Sequence, residues 1–124
     1  MSGKTERVVV VGASQNPERY SHRAIRLLRE HGHDVVPVNP ALGSILDIPV
    51  VPTISAIEGR VDTVTMYVSE SVSRSMRDDL IALKPKRVIF NPGAENGELA
   101  ETLTANGVEV VEGCTLVMLN TGSF

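Results

Sequence analysis

Four short stretches of this chain hold residues whose types and spacing suit ligand chemistry. The first is Gly12-Ala13-Ser14-Gln15-Asn16-Pro17, directly after a valine run. A glycine there lets the chain turn tightly and bring backbone amides close to a phosphate. The helix start behind it adds unpaired N–H groups and partial positive charge. Ser14 and Ser21 add hydroxyls, and Arg19 and Arg23 add cations. Only the first glycine of a G-x-G-x-x-G pattern stands, and no Gly-Lys-Ser/Thr follows, so this is not a P-loop. A plain tight turn containing glycine is the competing reading. The second stretch, Val38-Asn39-Pro40, falls where an NAD site needs an acid for the ribose hydroxyls. Asn and Pro count against NAD. NADP also avoids an acid, but its usual arginine partner is missing from 39–44.

The third stretch, Tyr67-Val68-Ser69, lacks the phosphoacceptor Asp that a response regulator would carry at this kind of position. It offers apolar surface, a hydroxyl and backbone groups, and a core tyrosine fits it equally well. The fourth, Asn91-Pro92-Gly93-Ala94-Glu95-Asn96, is dense in polar and turn-forming residues. Catalytic groupings are weak beside these. Ser14, His22 and Asp34 make a triad only on paper, since Asp34 starts a strand at the opposite edge from Ser14. His31 and His33 flank Gly32 without metal-ligand spacing, so no metal site is expected. Cys114 would be reactive at a helix start, but a buried structural thiol fits it better.

These loops need elements to hold them, and the apolar pattern supplies them. Strands are predicted at Arg7–Val11, Asp34–Val38, Asp62–Val68, Arg87–Phe90 and Val108–Val111, with a very short edge strand at Val50–Val51. Helices are predicted at Ser21–His31, Ser71–Leu83 and Gly97–Asn106, with shorter turns at Ile54–Ile57, capped by Thr53, and at Thr115–Leu119. Pro37 has no amide to donate, so a gap or bulge in the ladder is expected there. The β-α-β order predicts a Rossmann-type, doubly wound, mainly parallel sheet of about five strands flanked by helices. In such sheets ligands bind beyond the carboxyl ends of the strands, where the strand order reverses. All four stretches fall at that edge, as do Tyr20, Tyr67 and Phe90.

Composition narrows the function classes. The 124 residues suit one domain, 1–124, and leave no room for a cofactor domain plus a substrate domain. With two Tyr, two Phe and no Trp, a base-stacking nucleic-acid platform has too few rings. A formal charge of −3 argues against bulk affinity for DNA or an acidic membrane. The start, MSGKTER, is polar, and no apolar run approaches the roughly 20 residues of a membrane span. One cysteine allows no internal disulfide, and a cytoplasmic location is expected.

Taken together, VVVVGASQNPERYS, PVNP, FNPGAENGE and EVVEGC resemble the small stand-alone CoA-binding proteins. Those share their fold with the N-terminal CoA-binding domain of succinyl-CoA synthetase and related acyl-CoA ligases. The resemblance runs from Val8 to about Leu119. It implies coenzyme A or an acyl-CoA at the carboxyl edge. Gly12, Ala13 and Ser14, with Asn16 beside them, would hold the diphosphate, next to Arg19 and Tyr20. Asn39 and Pro40 would line the adenosine end. Tyr67, Val68 and Ser69 would follow the nucleotide or pantetheine, and Asn91, Pro92 and Gly93 would sit near the pantetheine arm. Many members carry a basic residue just after the third main strand. This chain has Val68-Ser69, so Arg23 or Arg74 would have to hold the 3′-phosphate. The ligases pass phosphate through a histidine of a further domain, and nothing here matches it.

The leading reading is therefore a binding or regulatory module for a small nucleotide ligand, with no catalytic residues. Its rivals are a small NADP-dependent oxidoreductase, an acyl transferase using the Cys114 thiol, and a subunit that completes a separate acyl-CoA ligase. A protein partner is compatible with each.

Overall fold

A computed structural model describes residues 5–41 and 43–124. Strand β1 (Arg7–Val11) is four valines after one arginine, and all four are buried. Such a run satisfies a strand covered on both faces, the position a central parallel strand occupies. Strands β2 (Asp34–Val38), β5 (Thr63–Met66), β6 (Arg87–Phe90) and β7 (Glu109–Glu112) complete a five-stranded sheet in the order β2-β1-β5-β6-β7. Every neighbouring pair is parallel. The sequence-based expectation of a Rossmann-type parallel sheet holds. The order reverses between β1 and β5, so the crevice of such a fold lies above that pair.

Helix α1 (Tyr20–Glu30) buries Ala24, Ile25 and Leu28 against one face, where Val8, Val10 and Leu119 of α5 (Thr115–Thr121) complete a core. On the other face Val9, Val11, Val64, Met66, Val88 and Phe90 meet Leu80 of α3 (Arg77–Leu83) and Leu99 and Leu103 of α4 (Gly97–Ala105). Phe90 is 1% exposed. It lies in this core and not on the ligand edge expected for it.

Three local expectations need correction. Pro37 causes no bulge: the β1–β2 register runs unbroken through Val10 and Pro37. The Pro37 carbonyl faces the outer edge, accepting from Val51 N at 2.9 Å, so the missing amide falls on the side away from β1. The helix expected over 71–83 is two helices, α2 (Glu70–Arg74) and α3. Between them Ser75 N and Met76 N bond three residues back, to Val72 O and Ser73 O. The Ser73 and Ser75 hydroxyls also take the carbonyls of Glu70 and Val72 at 3.2 and 2.8 Å. Serine hydroxyls competing for helix carbonyls tighten and interrupt the ladder there.

The stretch 44–49 forms a hairpin, β3 (Ser44–Ile45) and β4 (Ile48–Pro49), which the sequence did not announce. Its turn residues, Leu46 and Asp47, both take positive φ (51° and 65°), positions usually filled by Asn and Gly. Arg29 Nη1 holds the Leu46 carbonyl at 2.7 Å. The edge strand expected at Val50–Val51 is reduced to one bridge, Val51 to Val38. The helical turn after Thr53 is a 3-10 turn over Ile54–Ala56, and Thr53 makes no side-chain cap.

Candidate functional site

Gly12 is the position on which the carboxyl edge is built. Its φ is +89°, and a Cβ there would stand 2.9 Å from both the Tyr67 carbonyl oxygen and Val68 Cγ1. Only glycine tolerates both the conformation and the approach. The turn thereby lies directly on the end of β5. The Gly12 and Ala13 amides, expected to face a phosphate, both donate to the Val38 carbonyl at 3.2 Å. Their work is to tie the turn to β2.

Backbone donors remain at the start of α1. Its first turn has no side-chain cap at Arg19, so amides at its start are open to a ligand. Tyr20 and Ser21, the first two helical residues, line a cleft of about 510 Å³ with Ser14 and Arg19. Gly12, Ala13, Asn39, Tyr67, Val68, Ser69, Pro92, Gly93 and Ala94 complete it. The four loops thus meet in one cleft at the switch point. Ser21, whose hydroxyl the sequence already offered beside Ser14, lines the cleft, and Ala94 of the fourth stretch joins it.

Three of the expected site residues do not line this cleft. Asn16 is exposed and shapes the turn, its Oδ1 accepting from Glu18 N at 3.0 Å. Pro40 is exposed beyond the end of β2. Asn91 is 2% exposed and fully employed: Nδ2 donates to Thr65 Oγ1 at 2.7 Å and Met66 O at 2.9 Å, while Oδ1 accepts from Thr115 N at 2.9 Å. That amide joins β5, β6 and α5 beneath the cleft. Asn39 lines the cleft, yet its Nδ2 braces the Ala13 carbonyl at 2.8 Å and its Oδ1 accepts from Ala41 N at 2.8 Å.

Electrostatically the cleft is simple. Among the described residues Arg19 is the one cation on its lining, and no carboxylate lines it. Arg23 is exposed and lies over the ring of Tyr20, 5.6 Å from its centroid, outside the cleft lining. Arg74 pairs with Glu70 at 3.7 Å and lines a different hollow. Burial pushes the Tyr67 hydroxyl up to about 12, against the opposing pull of the Thr115 and Thr65 hydroxyls, so it is a neutral phenol at ordinary pH.

The triad named on paper does not assemble. His22 is buried, and its Nδ1 donates to the Ser14 carbonyl at 2.9 Å, leaving the Ser14 hydroxyl to accept from Asn16 N at 3.0 Å. Asp34 stands at the start of β2, paired with Arg7 at 3.7 Å. Cys114 precedes α5 and is not on the cleft lining.

A parallel sheet with a glycine turn at its switch point and an uncapped helix start above it defines a Rossmann-type α/β domain. The chain belongs to the CoA binding domain family, which it matches over residues 6–120. An uncharacterized protein of known crystal structure is 43% identical, with a TM-score of 0.92 over 98% of this chain and 100% of that one. YneT of Bacillus subtilis, also uncharacterized, is 24% identical over 108 residues, spanning 87% of this chain and 80% of YneT. The dinucleotide-forming acetyl-coenzyme A synthetase 1 of Candidatus Korarchaeum cryptofilum, solved with phosphate and ADP, has a TM-score of 0.75 at 23% identity. That match covers 87% of this chain and 25% of the synthetase, and it shows a shared fold. No helix of the described residues is long and apolar enough to cross a membrane.

Two substitutions test the turn. Gly12→Ala meets a backbone oxygen and a forbidden φ, and is expected to cost on the order of 2–4 kcal/mol. In thermal unfolding that lowers Tm by roughly 10 °C; a Tm unchanged within about 2 °C would contradict the contact. His22→Leu strands the Ser14 carbonyl and is expected to cost about 1 kcal/mol in urea unfolding. His22→Asn, which keeps an N–H near the Nδ1 position, recovers most of it. Equal losses for both variants would show that packing and not this bond holds the turn.

Proposed function

We propose that the chain binds coenzyme A or an acyl-CoA in this cleft and does no chemistry on it, acting as a binding or regulatory module. The observation that carries the proposal is the convergence of four loops on the uncapped start of α1, at the switch point of the sheet. A helix start with free amides suits a diphosphate, and Arg19 with the Ser14 and Ser21 hydroxyls adds charge and donors around it. Gly12 and Ala13 contribute shape, since their amides are already bonded. Asn39 offers a braced, neutral wall for an adenosine, consistent with the lack of an acid for NAD. Tyr67, Val68, Pro92 and Gly93 make a less polar channel suited to a pantetheine arm. Arg23, stacked on the cleft residue Tyr20, is the cation we assign to the 3′-phosphate, since Arg74 lines a different hollow.

The non-catalytic part of the proposal rests on the same geometry. His22 is engaged on a backbone carbonyl, and Cys114 is off the cleft lining. Neither is set to attack a thioester or move a hydride in this cleft.

Thermal shift with CoA, dephospho-CoA, NAD and NADP tests the reading. CoA at one hundred times its Kd adds about 2.7 kcal/mol, raising Tm by roughly 10 °C. NAD and NADP are expected to give little. Ser14→Glu sets an anion beside the diphosphate and is expected to abolish the CoA shift. Equal or absent stabilisation by all four ligands would sink the reading. Retained CoA affinity in calorimetry of Ser14→Glu would place the phosphates elsewhere.

A further inference from the structure

Tyr67 is the first residue beyond β5, and its two ends lie in different surroundings. Its ring is partly exposed on the cleft. Its hydroxyl is buried, and among the described residues it is the one buried side-chain oxygen or nitrogen without a hydrogen-bond partner. The polar groups beneath the cleft are each paired with partners other than the phenol. Thr65 Oγ1 and Thr115 Oγ1 share a bond of 2.8 Å, and the Asn91 amide spends both its donors and its oxygen on Thr65, Met66 and Thr115. The two threonine hydroxyls lie beside the phenol without meeting it in hydrogen-bond geometry.

A hydroxyl that gives up water and gains no partner destabilises the state that holds it, and such atoms are scarce in folded proteins. Here the same side chain borders an open cleft, which leaves space on that side of the ring. The backbone is not free to follow. Tyr67 N donates to Val11 O at 2.9 Å, and Gly12 packs on the Tyr67 carbonyl. Any response is confined to the side chain.

We infer that Tyr67 turns into the cleft when ligand binds, moving its hydroxyl from an unpartnered site onto an acceptor of the ligand. The ligand's identity rests on the CoA reading above. The pantetheine arm, with two amide carbonyls and a hydroxyl, supplies such acceptors. Tyr67 then acts as a specificity-determining residue. It favours a ligand carrying an acceptor at that depth over an apolar chain of the same length, because only the former relieves the stranded group.

Tyr67→Phe separates the two states. The free variant is expected to melt a few degrees higher than wild type, since it keeps the ring and removes the stranded oxygen. Its affinity for CoA, read by calorimetry, is expected to fall about five- to ten-fold, one neutral hydrogen bond's worth. With only two tyrosines in the chain, 13C-tyrosine NMR of the unaltered protein reads the ring directly, and the Tyr67 signals are expected to move on adding CoA. A lower Tm for the free variant would show the hydroxyl to be satisfied where it stands and overturn the inference. Unchanged CoA affinity with a higher Tm would also overturn it, while leaving the CoA reading intact. No CoA binding by the wild-type protein, whatever the melting temperature of the variant, would overturn both.

Discussion

The contact of Gly12 with the backbone of Tyr67 and the side chain of Val68 is the constraint on which the carboxyl edge depends. It exists because β1 and β5 are parallel neighbours and the chain leaves both at the same height. With no side chain at Gly12, the turn can lie on the end of β5 and then climb to α1. A residue with a Cβ would lift the turn and open the floor of the cleft. The bonds around it repeat the theme. Gly12 and Ala13 hold Val38, Asn39 holds Ala13, and His22 holds Ser14. Four polar groups are spent on placing one turn, and the start of α1 remains for a ligand.

The two edges of the sheet divide the charges between them. At the amino edge Glu6, Thr63 and Arg87 are joined, with Thr63 Oγ1 donating to Glu6 at 2.6 Å and Arg87 Nε donating to Thr63 at 2.8 Å. The Arg7 amide, followed by Arg60 and Lys86, holds Asp62 below the usual carboxylate range. Charges there answer one another within the fold. At the carboxyl edge, among the described residues, a single arginine and a set of neutral donors line the cleft. A helix start can attract an anion there without a competing carboxylate on the lining.

Much of this was legible in the sequence because the strands are β-branched runs that end in Gly, Pro or Asn. The valines of β1 and the terminators Gly12, Asn39-Pro40 and Asn91-Pro92-Gly93 place both the sheet and the loops. What escaped depends on direction, which composition does not carry. Whether Pro37 disrupts the ladder depends on which side its missing amide faces. Whether Asn39 and Asn91 touch a ligand or brace the frame depends on what lies within 3 Å of their amides. The interruption at Ser75 and Met76 arises from serine hydroxyls competing for carbonyls, a local contest hidden inside a good apolar stripe. The Leu46-Asp47 turn escaped because neither residue is one that a positive-φ hairpin prefers. Tyr67 shows the same limit at the site itself: its spacing marks a loop residue, and only the structure shows its hydroxyl buried without a hydrogen-bond partner.

The central claim is that this cleft is built for a CoA-type nucleotide. Native mass spectrometry of the freshly purified protein addresses it directly. The account predicts a population of the 124-residue chain carrying one CoA or acyl-CoA, lost on denaturation and lost in Ser14→Glu. A protein that purifies without ligand, and gains none when CoA is added in large excess before desalting, would contradict it.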